Sequence, residues 1–296
     1  MPRLTPTSSA TARISRTAIR GGRVISQPVS APPVGIIGGS GFYSLLDGVA
    51  GQAVATPYGD PSGPLSSGSL GGRDVVFVPR HGPEHRYAPH VVPYRANLWA
   101  LRASGVRQVV SLSAVGSLNP ALPTGTLVVP DQVVDRTAGR PHTFFDDGAG
   151  VAHASFADPY CPAGRGAALS ASAGADTPVV DGGVLVVVNG PRFSSRAESR
   201  EFQSHGWSVI GMTAMPEAAL ARELGLCYTT LALVTDLDAG VEAGQGVTHA
   251  EVLAAFAENL PRLRDLLVAT LGHLPAGQGD CGCGDLSAVP RGFALP

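Results

Sequence analysis

The sequence predicts an α/β protein: a single-domain three-layer sandwich with a central mixed β-sheet flanked by helices. Three observations predict it. Short β-branched apolar runs recur along the chain, bounded by Gly, Pro or polar residues, which is the pattern of strands buried on both faces. Helical patterns lie between several of these runs, and strands alternating with helices imply helices layered over a sheet. The segments that follow the strands are rich in Ser, Gly and Arg, as suits ligand binding at the carboxyl ends of strands in an open sheet.

In chain order, residues 1–33 carry Arg3, Arg13, Arg16, Arg20 and Arg23 among Ser, Thr, Ala and Pro, with no acidic residue and no hydrophobic periodicity. That composition predicts a disordered tail, and it is also the composition of an organelle transit peptide. Order begins at Val34-Gly35-Ile36-Ile37. Further strands are predicted at Val75 to Val78, Val109 to Leu112, Thr126 to Val129, Val184 to Val188 and Leu231 to Val234. Helices are predicted over Tyr94 to Ala103, Arg196 to Ser204, Pro216 to Leu224 and His249 to Leu271. Pro216-Glu217 is a good helix start, since proline is pre-set for the first turn and an acid there complements the helix dipole. The domain spans 34–272, and 273–296 reads as a C-terminal tail containing Cys281-Gly-Cys283.

Composition bounds the function. The 296 residues include 21 basic against 23 acidic side chains, a net charge of −2, without the clustered positive excess that nucleic-acid or membrane-surface binding needs. All 21 basic residues are arginine, which excludes a Schiff-base lysine and a phosphate-loop lysine. No apolar run reaches the ~18 residues of a membrane span. Cys161, Cys227, Cys281 and Cys283 are too few and too unevenly placed for a secreted disulfide framework, so a reducing cytoplasm is expected.

Four segments carry donors or carboxylates. Gly38-Gly39-Ser40-Gly41 follows a strand and can turn backbone N–H groups and a hydroxyl towards an anion, although a plain tight turn explains it equally. Pro79-Arg80-His81-Gly82-Pro83-Glu84-His85 joins a planar guanidinium fork, suited to phosphate, to imidazole donors. Gly82 and Pro83 forbid the helix that would align the two histidines as metal ligands; a solvated basic loop is the simpler reading. Ser113-Ala114-Val115-Gly116-Ser117 and Gly190-Pro191-Arg192-Phe193-Ser194-Ser195-Arg196 offer small residues for close backbone approach to a ligand. Thr235-Asp236-Leu237-Asp238 places two carboxylates on one side of a strand end, either to grip one ligand edge or to form a turn.

Taken in order, these motifs, with Tyr94-Arg-Ala-Asn97-Leu-Trp99, Asp135-Arg136-Thr, Asp158-Pro-Tyr-Cys161-Pro and Gly211-Met-Thr213 before Pro216-Glu217, resemble the 5′-methylthioadenosine phosphorylase branch of the trimeric purine nucleoside phosphorylases. The resemblance runs from about residue 34 to 272. It implies a pentosyltransferase of purine salvage in which inorganic phosphate attacks the anomeric carbon of a nucleoside and the free base leaves, with phosphate as co-substrate and neither cofactor nor metal. The positions matching the family's phosphate site are Ser40, Arg80, His81, Ser113, Ala114 through its backbone, and Thr213. Met212 matches the residue at the ribose hydroxyls and Phe193 one lying against the base.

Where 6-oxopurine enzymes of this family have glutamate and asparagine, this chain has Ser194 and Asp236. A carboxylate accepts from a 6-amino group and, when protonated, donates to N7, whereas it would oppose a 6-oxo group acceptor to acceptor. Adenine is therefore the expected base, with Asp236 stabilising N7 and Asp238 near the amino group. His249 stands where methylthioadenosine enzymes have a small apolar residue; an imidazole there favours a 5′-hydroxyl, unless it simply faces solvent at a helix start. Gly211 replaces the family's usual asparagine. His153 matches a residue that reaches a neighbouring subunit's 5′ pocket, which implies a homotrimer.

Alternative readings are a phosphorylase with broader or 6-oxopurine preference, a phosphate-independent nucleosidase and a non-catalytic nucleoside sensor. Cys281-Gly-Cys283 resembles a C-x-C element of some thermostable members. Two cysteines alone cannot build a four-ligand zinc site, so the pair reads as a redox couple or an inert tail.

Overall fold

The computed structural model describes residues 31–39, 42, 51–148, 150–173, 179–239, 241 and 246–296. The expectations for residues 1–30 and for Ser40 lie outside the described residues.

The elements run β1 (Val34–Gly38), β2 (Ser66–Leu70), β3 (Arg73–Pro79), α1 (Tyr94–Ala103), β4 (Gln108–Ser117), β5 (Leu127–Val129), β6 (Gln132–Arg136), α2 (Pro162–Ser172), β7 (Val179–Asp181), β8 (Val184–Val188), α3 (Arg196–Ser204), β9 (Val209–Gly211), α4 (Ala214–Glu223), β10 (Cys227–Leu237) and α5 (His249–His273). The sheet is mixed, in the order β2-β3-β1-β4-β10-β5-β7, and a second arm β9-β8-β6 grows from the far end of β4. The β3-β1-β4-β10 centre is parallel, while β2, β5 and β9 pair antiparallel with their neighbours there.

Each face of the sheet has its own core. On one side Leu98, Leu101, Ala218 and Leu220 from α1 and α4 pack with Trp99 and Phe144. On the other, Leu263, Leu267 and Leu271 of α5 and Ala167 and Ala168 of α2 cover Ile36, Leu112 and Leu231. This is the three-layer sandwich that the apolar runs predict.

The differences have physical reasons. Ser113 to Ser117 and Thr235 to Leu237 do not form loops after strands. They lie within β4 and β10, which stay paired throughout because β4 bridges the two arms of the sheet. The α2 helix escapes a periodicity argument because it packs through small residues: a Cβ on Gly164 would sit 2.0 Å from Thr229 Oγ1.

Residues 274–296 are not a free tail. Phe293 packs edge-on against Phe145 and Trp99, Leu286 packs at Gly225, and Cys283 is 1% exposed beside Cys161 and Cys227. The premise that two isolated cysteines occupy an inert tail, on which no metal was expected, does not hold.

Candidate active site

A cavity of about 580 Å³ opens at the carboxyl ends of the central strands. Its lining includes Arg80, His81, Ser113, Ala114 and Thr213, and also Phe193, Ser194, Met212, Asp236, Asp238 and His249. Eleven of the residues singled out from sequence thus share one space. His153 does not line it and is exposed in this chain.

Arg80 follows β3 and is 2% exposed. Its guanidinium does not present the open fork expected from sequence. Nε donates to Glu217 Oε1 at 2.5 Å and Nη2 to Glu217 Oε2 at 3.1 Å, Nη2 also reaches Ser111 Oγ at 2.6 Å, and Nη1 donates to the Leu112 carbonyl at 2.8 Å. A buried cation needs a counter-charge, and Glu217 supplies it. Glu217, at the start of α4, is itself 1% exposed and also accepts from Ser111 Oγ and Tyr228 Oη. The acid read from sequence as complementing a helix dipole is thus the residue that positions Arg80. Of the five guanidinium N–H groups, one on Nη1 stays outside these contacts.

His81 Nδ1 lies 2.8 Å from the Tyr87 carbonyl, so that nitrogen carries the hydrogen and Nε2 presents a lone pair. Burial, with the Arg80 charge adding to it, pushes the His81 pKa down to about 3, leaving the ring neutral. The His85 ring stacks on it at 4.2 Å. Ser113 Oγ is buried without a partner, and the Thr213 side chain does not cap the helix that follows it. Hydroxyls left open beside a buried arginine form a neutral-to-positive donor set suited to a phosphate.

Two carboxylates line the same cavity. The β10–β4 register skips one residue between Val234 and Asp236, and this bulge sets Asp236 opposite Gly116. A side chain there would collide, because a Cβ on Gly116 would lie 2.8 Å from Asp236 Oδ1. Burial raises the Asp236 pKa to about 6, the Asp238 charge adds to the rise, and a hydrogen bond from Thr235 Oγ1 at 2.9 Å opposes it. Asp238 is 3% exposed and its pKa is also raised by burial, while Ser199, the Ala239 backbone and Ser194 hydrogen-bond to it. Its Oδ2 is left without a partner. Ser194 thus supports the carboxylate that stays in the site, a role that a glutamate at 194 would oppose by repulsion.

Two further features are not legible from motifs. Arg140 is 4% exposed and donates to the carbonyls of Met212 at 2.8 Å, Met215 at 2.5 Å and Asn189 at 2.9 Å, clamping the Met212-Thr213 wall from behind. Val252, Leu253 and Phe256 of α5 give the cavity an apolar flank. His249 takes both of its expected positions, since it opens α5 after the Thr248/Glu251 capping box and also lines the cavity.

The fold and site define a class: an α/β protein holding an anion donor set and paired carboxylates in one cavity at strand ends. The chain belongs to the Phosphorylase superfamily, whose family profile matches residues 33–272. It is 58% identical over 272 residues to a purine nucleoside phosphorylase of Streptomyces coelicolor, covering 89% of this chain and 97% of that one. It is 52% identical over 264 residues to an S-methyl-5′-thioadenosine phosphorylase of Mycolicibacterium smegmatis, covering 89% and 99%. Among solved structures, methylthioadenosine phosphorylase from Schistosoma mansoni in complex with adenine superimposes with a TM-score of 0.77 at 36% identity, covering 81% of this chain and 91% of that one.

Proposed function

We propose that this chain catalyses phosphorolysis of 6-aminopurine nucleosides, 5′-methylthioadenosine and adenosine, releasing adenine and the corresponding (5-methylthio)ribose 1-phosphate. The carrying observation is the pair of carboxylates, Asp236 with its pKa raised to about 6 by burial and Asp238 with an unpartnered oxygen, lining the same cavity as unpartnered phosphate donors. An oxygen of phosphate, held by Ser113, the Ala114 backbone, Thr213 and the remaining Arg80 N–H, attacks C1′. The C1′–N9 bond breaks and its electron pair passes into the purine. Protonated Asp236 gives its proton to N7 as that charge develops, and Asp238 accepts from the 6-amino group. Neutral His81 accepts from a phosphate hydroxyl through Nε2. No cofactor enters these steps.

The names of the similar proteins support this reading: two act on methylthioadenosine, one carries adenine, and one is a purine nucleoside phosphorylase. The apolar flank of Val252, Leu253 and Phe256 suits a methylthio group, and His249 suits a 5′-hydroxyl. Measuring kcat/KM for methylthioadenosine, adenosine and inosine with phosphate tests the assignment; the 6-amino substrates should exceed inosine by about a thousandfold. Inosine as the best substrate would overturn it, and undiminished turnover without phosphate would indicate a nucleosidase.

The working form is proposed to be a homotrimer in which His153 of a neighbouring subunit completes the 5′ pocket. Among the described residues no helix is long and apolar enough to cross a membrane. A cytoplasmic setting is proposed as well, and four cysteines without a disulfide support it.

A further inference from the structure

At the other end of β10 from Asp236, about 30 Å away along the strand, four thiols converge. Cys161, Cys227, Cys281 and Cys283 come from three distant parts of the sequence, yet their Sγ atoms all lie within 4.8 Å of one another. Cys161, Cys227 and Cys283 are buried and Cys281 is partly exposed.

The backbone holds each position. Cys161 N donates to the Tyr228 carbonyl at 2.8 Å, tying the start of α2 to β10, and Cys227 N donates to the Arg107 carbonyl at 2.9 Å. Gly282 between the other two has φ 72°, the left-handed conformation that lets one tight turn bring both of its flanking thiols to the same place. Behind that turn, a Cβ on Gly225 would lie 2.8 Å from Leu286 Cδ2, so the segment sits directly on the domain.

Four sulfurs about a Zn²⁺ at a Zn–S distance of ~2.3 Å would be roughly 3.8 Å apart. The Cys227–Cys281 separation is 3.5 Å. Cys161 precedes the first turn of α2, whose N-terminal dipole offsets anionic sulfur, and Gln278 Nε2 points a donor at Cys227 Sγ over 3.6 Å while also bonding the Gly225 carbonyl. A cluster of four sulfurs with such supporting donors fits a closed structural site.

We propose that Cys161, Cys227, Cys281 and Cys283 bind one zinc ion as a tetrathiolate clasp that fastens the C-terminal segment to the base of the central sheet. Binding converts four thiols to thiolates, releases their four protons to solvent and displaces the ion's water, with no change of oxidation state. Zinc, with filled d orbitals and a tetrahedral preference, is the divalent ion this donor set selects. The clasp is structural and independent of the phosphorolysis reading, because it joins segments remote from the carboxylates.

The test uses the full chain purified under reducing conditions. Elemental analysis should find about one zinc per chain, and a mercurial that caps the thiols should release it to a colorimetric chelator. Cys281→Ala/Cys283→Ala should lower the zinc content at least tenfold. Should that variant fold poorly, the wild-type chain loaded with Co²⁺ decides: a tetrahedral cobalt–thiolate charge-transfer band supports the site. That band should also be unmoved by adenine. Absence of bound zinc together with an intact mass showing disulfides among these cysteines overturns the proposal, as does a cobalt spectrum without thiolate bands.

Discussion

With its pKa raised to about 6 by burial and by the neighbouring Asp238 charge, Asp236 keeps a proton in the folded chain where the unfolded chain has released it. The associated stability is therefore present below about pH 4 and is lost as pH rises through about 6, at up to ~3 kcal/mol by neutral pH. Asp236→Asn should accordingly raise the melting temperature at pH 7 and lose that advantage near pH 4, as paired thermal melts would show. The same substitution removes the proton donated to N7, so kcat/KM should fall by about 10²–10³. In the unsubstituted protein kcat/KM should decline above about pH 6, and the neutral His81 contributes no limb near neutrality. At the sugar end, His249→Val should shift the kcat/KM ratio of methylthioadenosine to adenosine by about tenfold towards methylthioadenosine. An unchanged ratio would mean that His249, although it lines the cavity, meets no substrate atom.

At the scale of elements, the site depends on a long strand with one irregularity. The bulge before Asp236 and the missing side chain at Gly116 act together, so Gly116→Ala should displace the carboxylate and lower kcat/KM by roughly ten- to a hundredfold, with a smaller effect on unfolding free energy. Glu217 couples α4 to β3 through Arg80, and Glu217→Gln leaves a buried guanidinium without its counter-charge. Urea unfolding should show a loss of about 3–5 kcal/mol, together with a raised KM for phosphate. The apolar runs marked β1, β3, β4, β5, β8 and β10 but not the short or half-exposed β2, β6, β7 and β9, and the boundaries of α1 and α3 coincide with the periodic segments read from sequence. Their patterns are local, so local reading succeeds. Neither the bulge nor the Arg80–Glu217 pair has a local signature, since each exists only when two segments far apart in the chain meet.

For the whole molecule, the trimer proposal predicts that His153→Ala raises KM for the nucleoside more than it lowers kcat, while light scattering still reports three subunits. An unchanged KM would remove the neighbouring histidine from the pocket. Motif order along the sequence was enough to determine the layered architecture, the family and most of the cavity wall, because each loop's chemistry is written in the few residues after a strand. Tertiary structure alone decided the rest. It turned the Arg80 fork onto Glu217, placed Ser194 against Asp238, brought Arg140 behind Met212, and drew the C-terminal cysteines to Cys161 and Cys227. The physical reason is common to all four. A buried charge or thiol takes its properties from partners within a few ångströms, and folding chooses those partners without regard to their distance along the chain.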